Sequence, residues 1–364
     1  MLNKNGNIQN FLGLNASYAD ARIVLIGAPF DGTTSNRPGT RFAPAAMRGE
    51  SAYGIESYSP YQDKDLTRDS KVYDAGDLVL PKGFPALALD VIEESVSQII
   101  EDGKMPLMIG GEHLVTLGAV RAIAKKNPGL CIIHLDAHAD MRDEFFGESL
   151  SHATVMRRCY DILGDGRIFQ FGIRSGGREE FVLPASQVFQ QKFRISELGA
   201  IAKKLGGAPV YFSLDLDVLD PSVLPGTGTP EAGGISFEDL FAGFLCLRGV
   251  NIVGCDIVEL APNLDASGVS TATACKLLRE LILVLSPGFV AGSAAGSAAG
   301  SAADSARESP AKERDLPDIS DMPAVLRGEI KSLKSKGLAN EEIARSLKLP
   351  KAAVDLVLEL EPPG

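Results

Sequence analysis

All four histidines of the chain, His113, His134, His138 and His152, fall within one stretch of 40 residues that also holds Asp136, Asp140 and the turn Gly110-Gly111. Imidazole changes charge near neutral pH and binds metal ions, so this crowding marks where chemistry is to be expected. In Asp136-Ala-His138-Ala-Asp140 the potential ligands stand two residues apart. An extended segment with that period turns them all to one face. Downstream, Asp215 and Asp217 repeat the spacing in Ser213-Leu-Asp-Leu-Asp217. With His113 the set becomes two imidazoles and four carboxylates, and because carboxylates bridge, this inventory suits a pair of metal ions.

Oxygen-rich donors with two nitrogens and no thiolate favour Mn²⁺ over Zn²⁺, so two Mn²⁺ per chain are expected. Two divalent cations balance the four aspartates of the set, and a bridging hydroxide then leaves one negative charge. Such a cluster welcomes a cationic substrate. His134 lies inside an apolar run and reads as packed or as a partner of a ligand rather than a ligand itself. Glu112 suits either the orientation of a ligand or the start of the following helix.

The elements that must position these groups are legible as short apolar runs: Ile23 to Ala28, Pro106 to Ile109, Cys131 to Leu135, Arg167 to Phe171, Val210 to Leu214 and Ile252 to Cys255. Amphipathic stretches lie between several of them, such as Ala86 to Glu101, Leu114 to Lys126, Ser236 to Leu247 and Ser270 to Leu285. Strands alternating with helices predict an α/β fold with a mostly parallel sheet covered on both faces. Ligands of such sheets gather at the carboxyl ends of the strands, where Gly110 to His113, Asp136 to Asp140, Asp215 to Asp217 and Glu259 all stand.

The character changes after Leu285. A repeated Ala/Gly/Ser tract runs from Ala291 to Ala303 and is followed by charged sequence, so 291–317 is expected to be a flexible linker between a catalytic domain, 1–290, and a small helical module, 318–364. Within that module Met322 to Leu333, Asn340 to Leu347 and Pro350 to Leu360 have helical periodicity, and Ala339 to Pro350 resembles a helix-turn-helix. Seven Lys/Arg against nine Asp/Glu from Asp315 to Gly364 leave a balance of −2, which argues for docking or packing rather than nucleic-acid binding.

The whole chain carries a net charge of −11 with a pI near 5.0, again unlike a nucleic-acid surface. The five cysteines, Cys131, Cys159, Cys246, Cys255 and Cys275, are scattered and mostly in apolar runs, as expected of free thiols in a reducing compartment. No apolar leader follows Met1 and no run of about 18 apolar residues occurs, so a cytoplasmic protein without membrane spans is expected.

These residues together resemble a known family, the ureohydrolases: arginase, agmatinase and their relatives. The resemblance runs through Ile26-Gly-Ala-Pro-Phe-Asp-Gly32, Arg37-Pro-Gly-Thr-Arg-Phe-Ala-Pro44, Gly110-Gly-Glu-His113, His134-Leu-Asp-Ala-His-Ala-Asp140, Ser151-His152, Ser213-Leu-Asp-Leu-Asp-Val-Leu-Asp-Pro221 and Gly254-Cys-Asp-Ile-Val-Glu-Leu-Ala-Pro262. It covers roughly residues 20 to 287 and leaves out the linker and the C-terminal helices. It implies a three-layer α/β/α fold of the arginase/deacetylase type and a homo-oligomer, often a trimer or hexamer. One manganese would be held by His113 and Asp140, the other by His138 and Asp217, with Asp136 and Asp215 bridging. His152 falls on the family's catalytic histidine and Glu259 on the glutamate that holds the guanidinium, while Asp140 doubles as ligand and catalytic residue by orienting the nucleophile.

Between Asp140 and His152 the loop carries Asp143, Glu144 and Glu148, acids that repel a carboxylate and attract an ammonium. They are expected to bind the far end of the substrate, which points to agmatine, split into putrescine and urea. Tyr58-Ser-Pro-Tyr61 and Gly226-Thr-Gly-Thr-Pro230 also look agmatinase-like, whereas Glu231 puts an acid where agmatinases commonly have an apolar residue. An aminopropylagmatine ureohydrolase or another guanidino-acid ureohydrolase is the nearest alternative. A different class, an inactive scaffold acting through its C-terminal helices, is disfavoured because crowded carboxylates without a metal only destabilise a fold.

Overall fold

The computed structural model describes residues 10–286, 324–336, 338–347, 354–355 and 357–358. Its strands are β1 (Ile23–Ala28), β2 (Tyr58–Ser59), β3 (Lys64–Asp65), β4 (Val72–Asp77), β5 (Met105–Gly110), β6 (Cys131–Leu135), β7 (Ile168–Ile173), β8 (Val188–Lys192), β9 (Val210–Asp215) and β10 (Ile252–Val258). Its helices are α1 (Ala43–Ser51), α2 (Leu66–Asp69), α3 (Pro85–Glu101), α4 (Val115–Lys126), α5 (Val155–Leu163), α6 (Leu198–Leu205), α7 (Phe237–Cys246), α8 (Val269–Leu285), α9 (Ala324–Ser335) and α10 (Asn340–Leu347).

Eight strands form one sheet in the order β4-β1-β5-β10-β9-β6-β7-β8, parallel throughout, and β2 with β3 makes a small antiparallel pair. The period of two in β1 shows why both faces are covered. Ile23 and Leu25 join a core with side chains of α1, α6, α7 and α8, whereas Val24 and Ile26 join another with α3, α4 and α5. The parallel sheet covered on both faces that the alternation predicts, and the three-layer α/β/α fold that the resemblance implies, are therefore the fold observed. The runs expected at Ile23 to Ala28 and Cys131 to Leu135 are strands with those ends, three others extend by one to three residues, and the run expected from Arg167 to Phe171 is shifted to Ile168–Ile173.

Sheet order is what assembles the site. The chain passes from β5 to β6 across a gap later filled by β10 and β9, so four strands carrying the chemical residues lie side by side as β5-β10-β9-β6. Being parallel, they release their carboxyl ends along one edge. Register aligns them further: Leu135 pairs with Leu214, so Asp136 and Asp215 leave adjacent strands at one level, and Val258 pairs with Asp215 just before Glu259. At the end of β5 the turn needs glycine, since a Cβ on Gly111 would stand 1.8 Å from the Phe30 carbonyl oxygen.

The chain divides into two units, Met1–Ala294 and Ala295–Gly364. In the second, α9 and α10 with the helical residues 354–355 and 357–358 bury Ile330, Ile343, Ala344, Val354 and Val357 in a small core of their own. The expected linker, 291–317, lies outside the described residues, as does most of the expected helix from Pro350 to Leu360. All five cysteines are free, four of them buried and Cys246 exposed. Among the described residues no helix is long and apolar enough to cross a membrane.

Candidate metal centre and catalytic cleft

His113 follows the glycine turn after β5 and is buried. Its Nε2 lies 3.0 Å from Ser213 Oγ, whose proton is given to Asp256 Oδ1 at 2.7 Å, so the serine oxygen accepts from Nε2–H. Asp256 is anchored in turn by Thr116 Oγ1 at 2.7 Å and the Tyr211 hydroxyl at 2.6 Å. The other ring nitrogen, Nδ1, faces Asp136, Asp140 and Asp215 carboxylate oxygens at 3.0, 3.2 and 3.2 Å. None of the three lies along a hydrogen-bond direction, and this buried nitrogen is left without a hydrogen-bond partner. A lone pair aimed among three carboxylate oxygens is the donor set of a cation.

His138 gives a second such focus. Its Nδ1 is 3.0 Å from Asp217 Oδ2 and 3.5 Å from Asp136 Oδ1. Asp136 thus turns one oxygen to each histidine, the geometry of a carboxylate shared between two ions. Two groups of side chains fit metal binding, His113-His134-Asp136-Asp140 and Asp136-His138-Asp217, and Asp215, outside both, stands 3.2 Å from His113 Nδ1. All four aspartates are buried.

The pleat does not produce this convergence, contrary to the extended segment expected from the spacing. β6 ends at Leu135, and Asp136 to Asp140 is an irregular loop in which the Asp136 carboxylate accepts from the His138 backbone at 2.5 Å and Asp140 adopts a φ of +54°. Asp215 caps a short 3-10 turn by accepting from the Asp217 backbone at 2.9 Å, and Asp217 accepts from the Ala137 backbone at 3.1 Å. Short carboxylates that bond their own backbone two residues on fold the segment back, which is what brings the ligands together.

His134, expected to be packed or to support a ligand, stands within the first metal-capable group and hydrogen-bonds one of its aspartates. Gln170 Nε2 donates to the Ala139 carbonyl at 2.6 Å and to His134 Nδ1 at 3.0 Å, leaving His134 Nε2–H to donate to Asp136 at 2.9 Å. Ser213, Asp256, Gln170 and Arg174 have site roles that spacing alone does not reveal. The Arg174 guanidinium donates to the carbonyls of Gly172, Asp217, Val218, Leu219 and Glu231, pinning the segment that carries Asp217. A lone arginine after an apolar run carries no signal of this in sequence, whereas Ser213 and Asp256 lie within family motifs.

The electrostatics fit a site built to hold cations. Burial alone would lower His113 and His138, but the facing aspartates hold both well above the ordinary histidine range. Burial raises Asp215 and Asp217, reinforced by neighbouring carboxylates, while Asp136, between its histidines, falls well below its usual range despite burial. A metal must displace the imidazole protons to bind. Loading metal-free protein with Mn²⁺ at neutral pH should therefore release protons, from the ligand histidines and from whatever raised carboxyls still hold one. Titration calorimetry in buffers of different ionisation enthalpy measures this; affinity should weaken as pH falls, and proton-neutral binding would contradict the ligand set.

Beside this centre opens a cleft of about 190 Å³ lined by Ser35, His138, Asp140, Arg142, Phe145, His152, Glu180 and Thr229, among others. Burial lowers the His152 pKa. Its Nδ1 lies 3.0 Å from the Thr33 carbonyl, which can only accept, so the proton is on Nδ1 and Nε2 is left toward Ser35 Oγ at 3.2 Å. Glu259, at the end of β10, has a φ of +66° and accepts from the His113 backbone at 2.7 Å. Burial and the neighbouring Glu112 carboxylate raise its pKa well above the usual range. Of the loop acids, Asp143 is exposed and paired with Arg158 at 2.5 Å, and Glu144 and Glu148 are exposed; none of the three lines this cleft. Arg142 does, countered by Glu180 at 3.3 Å. Glu231 approaches His138 Nε2 at 3.8 Å.

The Arginase family profile, described as "Arginase family", matches residues 21–284. An agmatinase of Bacillus subtilis (strain 168) is 45% identical over 284 residues, 77% of this chain and 96% of that relative. A guanidinobutyrase of Pseudomonas aeruginosa is 36% identical over 279 residues, covering 73% and 87%. The crystal structure of a putative agmatinase from Clostridium difficile superposes with a TM-score of 0.72 at 47% identity, over 74% of this chain and 99% of that one. The chain therefore belongs to the arginase family, metal-dependent ureohydrolases that hydrolyse guanidino groups.

Proposed function

We propose that the protein hydrolyses agmatine to putrescine and urea at a dinuclear manganese site held by His113, Asp136, His138, Asp140, Asp215 and Asp217. The observation that carries the metal centre is the shared Asp136, one oxygen toward His113 and the other toward His138. The identity to agmatinases over nearly their whole length supports the substrate. In this reading residues 1–290 carry catalysis, 291–317 link and 318–364 form a separate helical module; the enzyme is a cytoplasmic homo-oligomer.

When bound, the ions acidify water and so supply a nucleophile at neutral pH. That nucleophile is needed because resonance makes the guanidinium carbon a poor electrophile. Asp140, at the border of centre and cleft, orients it. Glu259 grips the guanidinium through charge-assisted hydrogen bonds, with one carboxylate oxygen already fixed by the His113 backbone. His152, neutral and unprotonated at Nε2, takes up there a proton released by the attacking water and passes it to the departing amine. Of the loop acids, Asp143 is neutralised by Arg158, so only the exposed Glu144 and Glu148, outside the cleft lining, remain to attract a dication to its approach.

Arg142 favours a second reading. Its guanidinium lines the cleft and would pair with the carboxylate of a guanidino acid. Urea release by the Mn²⁺-loaded full chain from agmatine, aminopropylagmatine, 4-guanidinobutyrate and arginine separates the readings. Agmatine should exceed both carboxylated compounds in kcat/KM by roughly 100-fold, the ~3 kcal/mol of a misplaced charge. Preference for 4-guanidinobutyrate would transfer the assignment to the guanidino acids, and no urea from any of them would overturn both.

A further inference from the structure

Thr33, in the loop after β1, connects a buried carboxylate to His152. Its backbone N–H reaches both oxygens of Glu112, at 3.2 and 3.0 Å, and its hydroxyl donates to Glu112 Oε1 at 2.5 Å. Thr34 adds a hydroxyl bond to Oε2 at 2.9 Å, so Glu112, wholly buried, holds the loop by four contacts. With its proton committed to a carboxylate, the Thr33 oxygen can only accept, and it takes the His152 backbone N–H at 3.1 Å. The Thr33 carbonyl takes the same residue's Nδ1 at 3.0 Å. One threonine thereby grips both the main chain and the ring of His152, 119 positions away.

We propose that Thr33, anchored by Glu112, is a positioning residue that fixes the tautomer of His152. A carbonyl 3.0 Å from Nδ1 can only accept and so demands a hydrogen there, and the more distant Ser151 Oγ, at 3.2 Å, can accept from the same N–H. Nε2 is consequently kept unprotonated, aimed at Ser35 Oγ on the cleft wall. That is the nitrogen that must exchange a proton with the reacting groups if His152 is the shuttle, the reading on which this inference rests. The clamp spends backbone contacts so that a half-buried ring on a loop keeps one orientation without touching the metal ligands.

The test pairs Thr33→Val, which removes the hydroxyl at constant shape, with Thr33→Ser, which keeps it. In metal-free full-length protein labelled with ¹⁵N-histidine, His152 is assigned by loss of its signals in His152→Ala. The wild type and Thr33→Ser should show Nδ1 protonated and Nε2 unprotonated; in Thr33→Val the carbonyl remains but loses the hydroxyl bonds to Glu112 and the His152 backbone that hold it against Nδ1, so a mixture of both tautomers should appear. In the Mn²⁺-loaded enzyme Thr33→Val should lose roughly 10- to 100-fold in kcat with KM and bound Mn²⁺ unchanged, the scale of a misplaced proton-transfer group. Thr33→Ser should recover the rate. A single Nδ1–H tautomer or a wild-type kcat in Thr33→Val overturns the clamp, as does a Thr33→Ser variant no better than Thr33→Val. A wild-type rate in His152→Ala instead removes the shuttle, and the catalytic meaning of the clamp with it.

Discussion

Asp215→Asn is expected to lose on the order of 10³-fold in kcat/KM, about 4 kcal/mol of transition-state stabilisation, while keeping the fold. The amide oxygen can still accept from the Asp217 backbone, so the turn that presents Asp217 survives. What disappears is one of four buried negative charges facing the two imidazoles. Stability gives a second readout with opposite signs. In metal-free protein, burial and the charges of Asp217 and Asp136 raise the Asp215 pKa well above its ordinary 3.8. A carboxyl with a raised folded-state pKa costs nothing in acid. Its penalty grows as pH climbs from the unfolded-state value through the folded one, so at neutral pH the charged form strains the metal-free fold. Metal-free Asp215→Asn should therefore melt higher than the metal-free wild type, by about 2–4 °C for each kcal/mol relieved. Mn²⁺ should raise the wild-type Tm and barely move the variant. A merely structural aspartate would lower both melting curves alike, and that result would remove Asp215 from the metal centre.

The contrast between ligands and their supports explains what was legible beforehand. Core strands such as β1 and β6 declare themselves because a parallel sheet buried on both faces needs apolar residues at every position. β4 and β8 escaped because they are the sheet's edges, where Val72-Tyr-Asp-Ala-Gly-Asp77 and Val188-Phe-Gln-Gln-Lys192 can stay partly polar. A candidate ligand set was legible for a related reason: buried aspartates and histidines are expensive, so their clustering in sequence has few explanations besides a cation. Ligand geometry was not, because a spacing of two is shared by a pleated strand and by the self-bonded turns at Asp136 and Asp215. The loop acids show the opposite failure. Charge alone suggested that Asp143 faces the substrate, but Arg157 and Arg158 of α5 lie one helical step away and claim it, at 3.8 and 2.5 Å. Composition records which charges a loop carries; only packing decides which of them remain free.

Glu259→Gln should separate substrate binding from metal binding, with a loss of kcat/KM on the order of 10³-fold, the ~2–5 kcal/mol attached to one half of a buried, hydrogen-bonded charge pair. Glutamine can keep the bond that Glu259 Oε1 accepts from the His113 backbone, so His113 stays in place and bound Mn²⁺ should remain at the wild-type level. Only the charge opposite the guanidinium is lost. The left-handed φ of +66° at this position is rare for a residue with a side chain, and the Glu259 backbone N–H is held there by the Gly111 carbonyl at 2.9 Å. The pH profile adds a signature that packing cannot mimic. Glu259 must be ionised to hold a cation, and burial with the Glu112 carboxylate raises its pKa. Activity of the wild type should therefore fall on the acid side at a pH above the ordinary glutamate value of 4.5, and this limb should flatten in the glutamine variant. Urea-release profiles of kcat/KM against pH, taken beside metal analysis of the same samples, make the comparison. If the variant kept the wild-type acid limb, or shed its Mn²⁺, the carboxylate would be supporting the metal centre and another group would have to hold the guanidinium.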